Sequence, residues 1–172
     1  MGIAGRTLYL TGLLFAAPLA NAQLEIVSTD PPFKAVLPTV PPMSMSEHPM
    51  RAGRPHLRLL GAQDGYNVSV LVPTADAGMG PLECASSTLR SLGSRPGVPE
   101  PDKVYKARLD DRTFIAIYAA RQPGFLQMHA HLMSAAGGTH CVEIHVSRVP
   151  GSREDVEAWF KLFGSSRIEA AP

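Results

Sequence analysis

"FLQMHAHLMSAAGGTHCVEIHVSR", Phe125 to Arg148, decides how this chain folds. It contains four of the six histidines and one of the two cysteines. Two alternating segments, Phe125 to Ser134 and His140 to Arg148, flank the turn "AAGGT" and read as a β-hairpin. In the first, Leu126, Met128, Ala130 and Leu132 share one face, and Gln127, His129, His131 and Met133 share the other. In the second, Val142, Ile144 and Val146 share a face with His140, while Cys141, Glu143, His145 and Ser147 point the opposite way. Side-chain direction alternates with period two, so a slip of one residue would set the histidines against Val142 and Ile144. Apolar positions meet across the hairpin only if paired numbers sum to an even value, as for His131 with His145. The loop must then hold an odd number of residues, three or five, and Gly137 and Gly138 supply the conformations such a loop needs. A two-residue Gly137-Gly138 turn is rejected because it buries imidazoles among aliphatic groups.

This register collects His129, His131, His145 and Glu143 on one face, within cross-strand reach, and sends His140 to the other. Three neutral imidazoles and a carboxylate suit zinc or cupric copper, with Glu143 as fourth ligand or as a hydrogen-bond acceptor behind a ligand. The alternative is a polar face whose histidines pack on their neighbours. A second soft-ligand tract, "MSMSEHPM", offers Met43, Met45, His48 and Met50. The favoured reading there is a methionine-rich segment filling gaps on an apolar surface.

Upstream, "NVSVLVP" (67–73) reads as a strand. Pro81 opens a helix over 81–92 whose Leu82, Ala85, Leu89 and Leu92 share one side. "KVYKARL" and "TFIAIYAA" flank the turn "DDR", in which Asp110 and Asp111 are turn-forming residues. The second of these segments is apolar on both faces, as a covered strand would be. Downstream, "SREDVEAWFKLFG" predicts a helix with Ser152 as its cap, acids in the first turn, and Val156, Trp159, Phe160 and Phe163 on the docking side. The fold class is α+β: a mostly antiparallel sheet with two packed helices, preceded by a proline-rich arm. Strand "GYNVSVLVP" (65–73) followed by a helix, strand "LDDRTFIAIYAA" (109–120), the long hairpin, and a last helix ending "WFKLFGSSRIE" (159–169) together resemble the PsbP-like α/β/α sandwich over Gly65 to Glu169. That resemblance rests on element order and implies docking to partners rather than catalysis. No functional residue is carried over from it.

The N-terminus supplies the cellular context. Arg6, an apolar run from Leu8 to Leu19 and the small-residue pattern Ala20-Asn21-Ala22 have the layout of a secretory signal peptide, residues 1–22. The apolar run is short of the roughly 20 residues that a membrane anchor needs. An exported chain with two cysteines is expected to bond Cys84 to Cys141, since its compartment is oxidising. Residues 23–55 contain seven prolines and read as the arm, with short strands possible at "LEIV" and "FKAVL". Residues 56–172 form the single domain. Without Arg6 the chain has 15 basic and 15 acidic residues, which argues against a nucleic-acid partner. No G-x-S-x-G elbow, HExxH or phosphate-binding glycine loop occurs, and pairing Asp110 or Asp111 with Glu143 as catalytic carboxylates has no support in spacing. The expected function is therefore a periplasmic or secreted, non-enzymatic module that binds another envelope protein or ligand. The alternative is a zinc- or copper-binding protein using the histidine cluster.

Overall fold

The computed structural model describes residues 23–47, 57–76, 78–100, 103–150 and 155–170. Residues 1–22, read above as a signal peptide, and His48, Met50 and Ser152 lie outside these residues. At the centre is the hairpin of β8 (Phe125–Ala136) and β9 (His140–Arg148), joined by a three-residue loop. Its register runs from Met128 opposite Arg148 to Ala136 opposite His140, so His131 directly faces His145. Gly137 and Gly138 hold φ of 62° and 74°, the left-handed region where a Cβ is unfavourable.

Around this hairpin, β3 (Ser46–Glu47), β4 (Leu57–Gln63), β5 (Tyr66–Leu71), β6 (Tyr105–Arg108) and β7 (Phe114–Gln122) complete a seven-stranded sheet. Its order is β3-β4-β5-β9-β8-β7-β6, and every neighbouring pair is antiparallel. Strands β4 and β5 meet in a two-residue Asp64-Gly65 turn with positive φ at both positions, a geometry that matches the twist of a hairpin. At the β6–β7 turn, Asp110 accepts hydrogen bonds at 2.7 Å from the backbone N–H groups of both Arg112 and Thr113. Asp110 is thus a turn residue, and Arg108 pairs with Asp111 beside it.

The two faces of the sheet are covered differently. One presents Val68, Val70, Ile115, Ile117, Leu132 and Ile144 to the main core, where Trp159 and Phe163 of α2 (Val156–Phe163) join them. A three-stranded sheet of β1 (Leu24–Thr29), β2 (Pro32–Leu37) and β10 (Arg167–Ala170), in the order β1-β2-β10, covers the same face. Its Leu24, Ile26, Phe33 and Leu37 are buried in that core. The segment read as an arm before the domain therefore contains two core strands, and hydrophobic burial begins at Leu24 rather than after residue 55. Proline does not prevent this, because Pro32 stands at the first position of its strand, where a missing N–H is tolerated. Met43 and Met45 also pack against the core, over Gly61, as a gap-filling reading of the methionine tract expects.

The opposite face carries α1 (Pro81–Gly93), where Ala85 packs with Ala116 and Met133. Cys84 is bonded to Cys141, pinning the first turn of the helix to β9. Closing a loop of this length, 57 residues apart in sequence, stabilises the fold by roughly 4 kcal/mol on the chain-entropy account. The cap of α2 is Asp155, which accepts from the Ala158 N–H at 2.9 Å, in place of the expected Ser152. A carboxylate at this position satisfies an orphan donor and also meets the positive end of the helix dipole. No helix among the described residues is long and apolar enough to cross a membrane.

Candidate metal centre

The face under α1 is where the polar residues of the hairpin gather. Helix α1 covers the rows at Cys141 and Met133 but ends at Gly93, so the rows at His131–His145 and His129–Ser147 lie at its margin. His131 and Glu143 are each 2% exposed, whereas His129 and His145 are half-buried. One nitrogen from each of His129, His131 and His145 can be chosen so that all three lie within 4.8 Å of one another. The rings are nearly parallel. His131 stacks on His145 at 4.4 Å, and His129 Nδ1 is 2.9 Å from His145 Nε2.

Glu143 stands behind this trio. Its Oε1 is 2.8 Å from His131 Nδ1, and Arg95 donates from both guanidinium ends to the two carboxylate oxygens at 3.2 Å. Burial alone would raise the pKa of this carboxyl. The hydrogen bond and charge of His131, followed by those of Arg95, outweigh it and hold the group at about 2. The carboxylate engages Nδ1, which leaves Nε2 as the ring nitrogen of His131 facing away from Glu143. Tyr118, on β7 opposite His129, fills that direction with its hydroxyl 3.3 Å from Nε2. Burial pushes the phenol up to about 12, with Arg95 pulling against it and Glu143 adding to it. Its ring stacks on His129 at 4.9 Å.

His129 and His145 are held in the neutral form. Desolvation, then the neighbouring His131, takes His129 down to about 4. Desolvation, with His131 and His129 adding to it and Glu143 opposing, keeps His145 well below its ordinary range. His129 Nε2 is buried without a hydrogen-bond partner, and Ser69 Oγ stands 3.4 Å from His145 Nδ1. A crevice of about 440 Å³ reaches His145, Ser69 and Ser147 from one side, and another of about 340 Å³ reaches Arg95 and Glu143 from the other.

Of the residues singled out in the sequence, His129, His131, His145 and Glu143 are brought together, and His140 is not. The His140 ring meets Thr139 at the loop instead. Glu143 is occupied by Arg95 and His131, so it stands in the second rank of the cluster rather than offering a free fourth donor. Asp110 and Asp111 belong to the β6–β7 turn, and Cys141 is consumed by the disulfide. Sequence reasoning missed Arg95 and Tyr118. Arg95 lies in a breaker-rich loop with no periodicity to aim it. Tyr118 follows from the alternation of β7 only once the β7–β8 register is known. The chain matches no protein-family model, and no curated protein matches it either.

Proposed function

We propose that this chain is an exported protein that binds a divalent transition-metal ion, zinc or copper, through His129, His131 and His145. The observation that carries the reading is the convergence of three imidazole nitrogens within 4.8 Å on one hairpin face. Metal–nitrogen distances of about 2.0–2.1 Å give tetrahedral ligand–ligand edges of about 3.3 Å, so side-chain rotation of roughly 1.5 Å at the longest edge brings the set to ligation distance. Three further features support it. His129 and His145 are already neutral, the form that ligates. His131 is backed by a carboxylate, which orients ligating histidines and makes them more basic. A buried imidazole nitrogen on His129 lacks any partner. The disulfide and the signal-peptide pattern support an oxidising, extracytoplasmic setting.

Calorimetric titration of the chain beginning at Gln23 with zinc and with cupric ion tests this. One ion per chain is expected. Binding should be lost in the His129→Ala, His131→Ala double variant and kept in His140→Ala, with thermal unfolding verifying that each variant folds. Binding that survives the double substitution, or that disappears with His140→Ala, overturns the assignment.

A second reading, docking to an envelope protein or ligand, is favoured by exposed Phe125, Leu126 and Val149 at the same end of the β8–β9 pair. It also agrees with what the PsbP-like resemblance implies. Crosslinking in envelope extract should lose its product when Phe125 and Leu126 are replaced by Ser. A product unchanged by that replacement removes this surface from consideration.

A further inference from the structure

Nε2 is the only ring nitrogen that His131 has to offer, because Nδ1 is engaged by Glu143 at 2.8 Å. The same Nε2 is hydrogen-bonded to the Tyr118 hydroxyl at 3.3 Å. An ion on Nε2 would take that partner away and leave a phenol that is 4% exposed without one. Stranding a buried hydroxyl is costly. The cost vanishes if the phenol oxygen itself joins the ion, and its spacing from His131 already fits. A separation of 3.3 Å between Tyr118 Oη and His131 Nε2 equals the edge of about 3.3 Å between two donors on one tetrahedral ion. Tyr118 is also fixed in direction by stacking on His129 at 4.9 Å and on His131 at 5.6 Å.

The geometry points to Tyr118 as the fourth donor, making the centre a three-histidine, one-tyrosinate site. Coordination forms a metal–oxygen bond and breaks the phenol O–H bond, and the proton passes to solvent. The oxidation state of the ion is unchanged. A hard anionic oxygen beside three imidazoles favours cupric over cuprous ion, since cuprous ion prefers sulfur donors. This inference rests on the three-histidine reading and adds one ligand to it.

Cupric ion added to the full chain from Gln23 is the probe. The copper form should show a visible charge-transfer band from phenolate to copper, and resonance Raman excitation into that band should return tyrosinate ring vibrations. Tyr118→Phe should keep one copper per chain, lose the band and those vibrations, and bind about tenfold more weakly. The Raman measurement on the wild type needs no variant to fold. A wild-type copper form without tyrosinate vibrations overturns the assignment of Tyr118 and leaves the three histidines standing. A chain that takes up neither copper nor zinc overturns both.

Discussion

At His129 and His145 the protein holds imidazoles in a place that disfavours charge, and acid should expose the conflict. Both rings are neutral in the folded chain at pH 7, with His129 at about 4 and His145 well below its ordinary range. In the unfolded chain they take up protons near pH 6.5. Between those limits the unfolded state binds more protons, so stability falls as pH falls. The contribution is fully present above about pH 6.5 and lost towards pH 4, of order 2 kcal/mol for His129 once solvent screening at this half-buried ring is allowed for. Glu143 acts in the same sense lower down, because its carboxylate, held at about 2, loses its stabilising ionisation between roughly pH 4.5 and 2. Urea unfolding of the metal-free chain at pH 7.5, 5.5 and 4.5 should give a steadily decreasing midpoint. A profile flat between 7.5 and 4.5 contradicts the burial of these rings. Glu143→Gln should cost about 2–3 kcal/mol at pH 7, since it leaves Arg95 without its counter-charge and His131 Nδ1 without its carboxylate partner, and the loss should shrink towards pH 2.

The hairpin is the element that the sequence described most fully. Its alternation of apolar and polar residues required an odd loop, and the loop has three residues. Deleting Gly138 would make it two, forcing either His129 and His131 against Val142 and Ile144 or a rebuilt turn. The expected outcome is loss of cooperative unfolding in circular dichroism, whereas Gly138→Asn, which tolerates left-handed backbone, should cost about 1 kcal/mol or less. Other elements escaped for identifiable reasons. Strand β4 was legible in principle, since Asp64-Gly65 between apolar runs is a strong hairpin signal, but Gly61 and Arg58 blurred its alternation. Strand β10 is four residues long and has only one buried side chain, Ile168, too little to form a pattern. The cap of α2 moved to Asp155 because both Ser152 and Asp155 satisfy the local chemistry, and composition does not rank them.

Over the whole molecule, the proline count obscured where the domain begins. Prolines 31 and 32 stand at the β1–β2 turn and strand start, where a donor is not needed, and the residues between prolines alternate enough to bury Phe33, Ala35 and Leu37. A chain starting at His56 should accordingly fail to fold. It would expose the core surface that β1 and β2 cover, and burying Phe33 and Leu37 alone is worth roughly 3–6 kcal/mol, a large fraction of a small domain's stability. A sharp thermal transition from that truncated chain would restore the arm reading. Arg95 and Tyr118 were beyond the sequence for a similar reason, as each reaches the cluster through a contact between separate elements.

The placement of all three imidazoles on one hairpin also has a bearing on time. His129 and His145 are 16 residues apart and are joined through a three-residue loop, whereas the disulfide must close across a separation of 57. Hairpins form in about 1–10 μs, while thiol oxidation takes seconds or longer. The histidine trio is thus among the earliest tertiary features available to the full-length chain as it folds. An ion captured there would act as a nucleus around which the remaining strands assemble, before the covalent link exists to hold α1 in place.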